Sequence, residues 1–107
     1  MERKKSNRFV SDFARLVKNE FRAQKVILFG SQAYGDPSIS SDLDILIIMD
    51  TKLKPYKQAA LIRMFIDGKL GVKYPMDLIV RTPEQIEKRL KTGDFFIKKI
   101  VKEGIHL

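Results

Sequence analysis

A small mixed β-sheet flanked by helices, an α/β (α+β) architecture, is expected from three features of the sequence. Short, nearly continuous apolar runs (KVILF, LDILII, MDLIV) have the length and β-branched content of buried strands. They alternate with longer segments whose apolar residues recur every three or four positions, the helical spacing. The chain has 107 residues, enough for one modest core and too few for two. One domain over 1–107 is therefore expected, with 1–7 a frayed basic tail.

In chain order, residues 8–22 place Phe9, Phe13, Leu16, Val17 and Phe21 on one face of an amphipathic helix. KVILFG (25–30) is a short strand ending at a glycine. SQAYG (31–35) suits a brief helical turn and DPSISS (36–41) a loop. LDILIIM (43–49) is a buried strand. Pro55 opens a helix running to about Ile66, and DGKLGVKYP (67–75) reads as a turn region. MDLIVR (76–81) is a third strand. Thr82, with Pro83 and then Gln85, has the pattern of a capped helix start. Gly93 breaks that helix, DFFIKKIVKE (94–103) forms the last one, and GIHL reads as a short terminal strand. Phe95 and Phe96, like the phenylalanines of 9–21, are expected in the core rather than as base-stacking groups.

The net charge is +8, and it is unevenly spread. Residues 1–25 carry eight basic and three acidic groups, residues 51–107 thirteen and six, and residues 26–50 four aspartates with no lysine or arginine. Two readings of the basic surface stay open: a solvated lysine-rich exterior, or a face for a polyanionic partner such as nucleic acid, a nucleotide or an acidic protein. The chain has no cysteine, which excludes disulfides and cysteine chemistry. Its apolar runs fall far short of membrane-spanning length, and MERKKSNR lacks the apolar centre of a signal peptide. A cytoplasmic protein without a membrane partner is expected.

The chemistry concentrates in FGSQAYGDPSISSDLDILII (29–48). Gly30 and Ser31 stand where a strand passes into a helical segment. A glycine there admits a ligand close to the backbone, and free N–H groups at a helix start favour phosphate oxygens. Asp42 and Asp44, two apart on a strand, share a face. Asp77 heads MDLIV much as Asp44 heads ILII, and joins them if the two strands are neighbours. Three clustered carboxylates repel one another and are costly to desolvate without a cation. Hard divalent ions such as Mg²⁺ suit them, with phosphate oxygens and water completing the shell. His106 reads as a surface group, Arg81 as a minor candidate for triphosphate contact, and Tyr34 either lines the pocket or packs.

With its strand-borne Asp77, GSQAYGDPSISSDLDILI resembles the signature of the DNA polymerase beta-like nucleotidyltransferase superfamily. The short chain and its closing FFIKKIVKEGIHL resemble the minimal, free-standing branch. The resemblance implies a polymerase beta-like nucleotidyltransferase core in which Gly30 and Ser31 hold the triphosphate of ATP. Asp42 and Asp44 would bind two Mg²⁺ ions; Asp77 would bind the catalytic ion and help deprotonate an acceptor hydroxyl. It further implies transfer of AMP to a small helical toxin of the HEPN type, the chain acting as antitoxin. Larger relatives carry an acceptor- or base-binding domain, a role that would here fall to a partner or to homo-oligomerisation. Transfer to a small molecule such as an aminoglycoside, and a non-catalytic module that binds a partner or nucleic acid, are the alternatives.

Overall fold

The computed structural model describes residues 3–30, 33 and 42–107, with side chains from Arg8 onward in the first helix. Helix α1 spans Arg3–Phe21, strand β1 Lys25–Phe29, strand β2 Leu43–Ile48 and helix α2 Pro55–Leu70. Strand β3 covers Met76–Arg81, helix α3 Pro83–Lys91, helix α4 Phe95–Glu103 and strand β4 Ile105–His106. The strands form one sheet in the order β3-β2-β1-β4. β2 and β3 are parallel; β1 is antiparallel to both β2 and β4. The mixed α/β sheet expected from the sequence is thus present, and the short terminal strand finds its partner in β1.

Strand parity divides the core. Val26 and Leu28 of β1, Leu43, Ile45 and Ile47 of β2, and Met76 and Val80 of β3 pack under α1 and α2, with Phe9, Phe13, Val17, Ile62 and Ile66. The alternate residues Ile27, Phe29, Leu46 and Ile48 face α3 and α4 through Ile86, Ile97 and Ile100. Covering both faces of β2 is why LDILII reads as a continuous apolar run rather than an alternating one. Each fully buried Ile, Leu or Phe here contributes about 1.5–3 kcal/mol.

Two boundaries differ from expectation. The basic segment 1–7, expected to fray, is helical from Arg3. Arg and Lys are good helix formers, and nothing in RKKSN stops the turn propagating from the packed part of α1. Helix α2 continues through Asp67–Leu70, where a turn was expected. Gly68 is tolerated inside the helix, and the stop comes at Gly71, whose φ of 79° and N–H bond to the Asp67 carbonyl close the last turn. Of the helical turn expected over 31–35, only Ala33 is described; it is helical, and its N–H donates to the Gly30 carbonyl at 3.0 Å. The loop expected over 36–41 lies outside the described residues.

Candidate active site

Two strand starts and one strand end meet at one edge of the sheet. In the parallel β2–β3 pair, Asp44 is in register with Asp77; in the antiparallel β1–β2 pair, Phe29 is opposite Asp44. Asp44 shares its parity with Leu46 and Ile48, and Asp77 with Ile79, so both carboxylates belong to the α4 side of the sheet. Gly30 follows Phe29 at this edge with φ 76°. A Cβ there would overlap Asp44 Oδ2 and stand 3.1 Å from its Cγ. Glycine is therefore required twice over, by the left-handed backbone and by the close approach of the carboxylate.

The carboxylates differ in setting. Asp44 is half-buried, while Asp77 and Asp42 are exposed. Burial pushes the Asp44 pKa up, and the neighbouring charges of Asp77 and then Asp42 push it further. Ion pairs among the described residues include Arg15–Asp12, Arg89–Asp94 and Lys91–Glu87, and none of these three involves Asp42, Asp44 or Asp77. The expected three-way cluster is only partly assembled. Among the described residues no three Asp, Glu, His or Cys side chains are close enough together to hold a metal ion. Asp44 and Asp77 form the pair, and Asp42 adds its charge from just outside β2. Ser31 and Tyr34 lie outside the described residues.

A cavity of about 410 Å³ opens over the pair, lined by Phe29, Gly30, Asp44, Asp77, Ile79, Phe96, Lys99 and Ile100. A larger groove of about 530 Å³ runs between α1 and Leu28, Ile105 and Leu107, but no Asp or Glu side chain lines it. The α4 wall is held in place by local signals. Gly93, at φ 80°, ends the preceding turn. Asp94 then caps α4, accepting from the Ile97 N–H at 3.1 Å and pairing with Arg89 at 3.1 Å. Those contacts, the backbone bond foremost, hold the Asp94 pKa below its usual value. The capping box of α3 is complete: Gln85 N–H donates to Thr82 Oγ1 at 3.1 Å, and Thr82 N–H to Gln85 Oε1 at 2.9 Å.

Sequence reasoning missed the α4 contribution. Phe95 and Phe96, expected in the core, are 84% and 55% exposed, because α4 turns Ile97 and Ile100 inward instead. Lys99 also lines the cavity, supplying a cation where the local sequence around Asp42 and Asp44 has none. The signal was the i, i+3, i+4 spacing of Phe96, Lys99 and Ile100, which puts them on one side of a helix. Arg81, considered for triphosphate contact, sits at the opposite end of β3, about 13 Å along the strand from Asp77; its guanidinium donates to the Val80 carbonyl at 2.7 Å. His106 is exposed, as expected, with Nε2 donating to the Val101 carbonyl at 2.9 Å.

The nucleotidyltransferase domain profile matches residues 8–107. The chain belongs to the nucleotidyltransferase family. A Methanocaldococcus jannaschii protein named "Putative protein adenylyltransferase" is 32% identical over 101 residues, covering 89% of this chain and 90% of that protein. A "putative nucleotidyltransferase" from Sulfolobus solfataricus has a crystal structure that overlays with a TM-score of 0.56 at 20% identity. That overlay covers 92% of this chain and 76% of the other, and it establishes likeness of fold. As a nucleotidyltransferase the chain takes a nucleotide substrate, and the cavity over Asp44 and Asp77 is the candidate place for it. Among the described residues no helix is long and apolar enough to cross a membrane.

Proposed function

We propose that this nucleotidyltransferase moves AMP from ATP to a hydroxyl of a protein acceptor, at a site made by Gly30, Ser31, Asp42, Asp44 and Asp77. The observation that carries the reading is the register of Asp44 with Asp77 beside the Cβ-free Gly30. The donor set suits a hard divalent cation. It is all oxygen, its central carboxylate is destabilised by burial and by its two neighbours, and Mg²⁺ readily takes its remaining ligands from phosphate and water. Asp42, Asp44 and Asp77 would hold Mg²⁺, two ions on this reading, and when bound it supplies neutralising charge to the triphosphate.

The chain's own residues account for the rest. Gly30 lets the phosphates approach the backbone, and Ser31 adds a hydroxyl donor to them. Asp77, exposed at the cavity, accepts the acceptor's proton. The freed oxygen forms a bond to the α-phosphorus; the bond to the bridging oxygen breaks, and pyrophosphate leaves with that electron pair. Orientation by the two strands holds the reacting groups together, which is where much of the acceleration arises.

The name of the Methanocaldococcus relative supports a protein acceptor. The narrower reading, a small helical HEPN-type toxin as acceptor and this chain as antitoxin, rests on the resemblance of residues 30–47. The test is incubation with Mg²⁺, α-labelled ATP and, separately, the protein of the adjacent reading frame, an RNA and an aminoglycoside. Label on the protein is expected. Label on RNA or aminoglycoside alone would overturn the protein-acceptor reading and leave nucleotidyl transfer standing.

A further inference from the structure

The least expected feature of the cavity is its aromatic wall. Helix α4 buries Ile97 and Ile100 against the sheet, yet leaves Phe96 55% exposed at the cavity that also contains Asp44 and Asp77. The ring is not loose. It meets Phe29 edge-to-face, with centroids 5.7 Å apart and planes at 88°. Phe29 is itself buried, and its register partner is Asp44. The ring is thus anchored through β1 to the strand that carries the half-buried carboxylate. Ile79 and Ile100 extend the apolar wall. A cavity of about 410 Å³ with an apolar side and a charged end has the character of a small-ligand site, where apolar surface binds and a few polar groups orient.

We infer that Phe96 is the stacking platform for the nucleobase of the bound nucleoside triphosphate, with Ile79 and Ile100 completing an apolar base subsite. This rests on the reading of Gly30, Asp44 and Asp77 as the triphosphate end. If phosphate occupies the carboxylate end of the cavity, the apolar wall is left for the part of the ligand that gains most from leaving water, the base. Of the large apolar side chains exposed among the described residues, Phe96 is the one that lines this cavity. Its neighbour Phe95 is more exposed, at 84%, and does not line it, so the pair carries its own control. A platform that contacts only a π-face is tolerant of base identity, so discrimination among bases is expected to be weak.

The test is calorimetric titration of wild type, Phe96→Ala, Phe96→Leu, Phe96→Trp and Phe95→Ala with Mg²⁺-ATP and with Mg²⁺-tripolyphosphate, without acceptor. Wild type is expected to bind both. Phe96→Ala and Phe96→Leu should each weaken ATP about tenfold, the scale of one lost base–aromatic stack, and leave tripolyphosphate unchanged. Leu keeps an apolar contact with Phe29, so a loss shared by both variants reports the missing π-face rather than disturbed packing. Phe96→Trp should retain ATP affinity, and Phe95→Ala should match wild type. Wild-type ATP affinity in Phe96→Ala would overturn the subsite while sparing the triphosphate reading, and would give the wall to the acceptor instead. Equal loss of both ligands, or equal effects at Phe95 and Phe96, would also overturn it. If wild type bound neither ligand, the triphosphate reading would fall and take the subsite with it.

Discussion

Gly30→Ala should do more damage than an ordinary glycine replacement, and the structure sets the amount. At φ 76° an alanine pays about 1–2 kcal/mol for a left-handed backbone. Its Cβ would also overlap Asp44 Oδ2 and stand 3.1 Å from Asp44 Cγ, so the carboxylate must leave its rotamer. Displacing that side chain adds about 0.5–1.5 kcal/mol. The sum, about 1.5–3.5 kcal/mol, corresponds to a fall in Tm on the order of 5–30 °C for a domain of this size. Gly71→Ala is the matched control: its φ is 79°, but nothing lies within 4 Å of the added Cβ, so it should show the backbone cost alone. The assay is thermal and urea denaturation of Gly30→Ala, Gly71→Ala, Asp44→Ala and the Gly30→Ala/Asp44→Ala double variant. The double variant should lose less than the sum of its singles, because Asp44→Ala removes the atoms in the way. If Gly30→Ala cost no more than Gly71→Ala and showed no coupling to Asp44, the close approach of Gly30 to the carboxylate would be refuted.

Two further outcomes follow from the same geometry. Because burial and the charges of Asp77 and Asp42 raise the folded pKa of Asp44 above 3.8, the native state holds that proton more tightly than the unfolded chain. Stability from this group is present at low pH and is lost as pH rises from about 3.8 through the raised folded value. In metal-free buffer, wild type minus Asp44→Asn should therefore fall in Tm across that window, and Asp44→Asn should be the more stable protein at neutral pH; a difference that is flat with pH would contradict this. Asp77→Asn should lower turnover more than nucleotide affinity, since an amide cannot accept the acceptor's proton; steady-state kinetics with unchanged turnover would remove Asp77 from that role.

Much of this site was legible because it depends on parity and strand order, which local sequence encodes. Asp42 and Asp44 two apart, Asp77 leading a similar run, and Gly30 closing a strand all needed only a parallel β2–β3 pair to bring Asp44 and Asp77 together. The contribution of α4 was not legible. Which side of FFIKKIVKE packs inward depends on how α3 and α4 dock on the sheet, so Phe96 and Lys99 appeared only in three dimensions. Arg81 was misleading for a related reason: it shares Asp77's strand and face, but strand direction carries it to the far end. The helix ends moved because good helix formers extend a packed helix until a left-handed residue stops it, and Gly68 alone was not enough to stop α2.

The most direct measurement is the linkage between Mg²⁺ and ATP on wild type and Asp44→Asn, read by titration calorimetry. If Asp44 and Asp77 are the metal–nucleotide site, Mg²⁺ should tighten ATP binding to wild type, and ATP should tighten Mg²⁺ binding by the same factor. In Asp44→Asn, checked to be folded and to unfold cooperatively, that mutual enhancement should disappear. Undiminished enhancement in Asp44→Asn, or ATP binding to wild type that is indifferent to Mg²⁺, would contradict the assignment of these carboxylates.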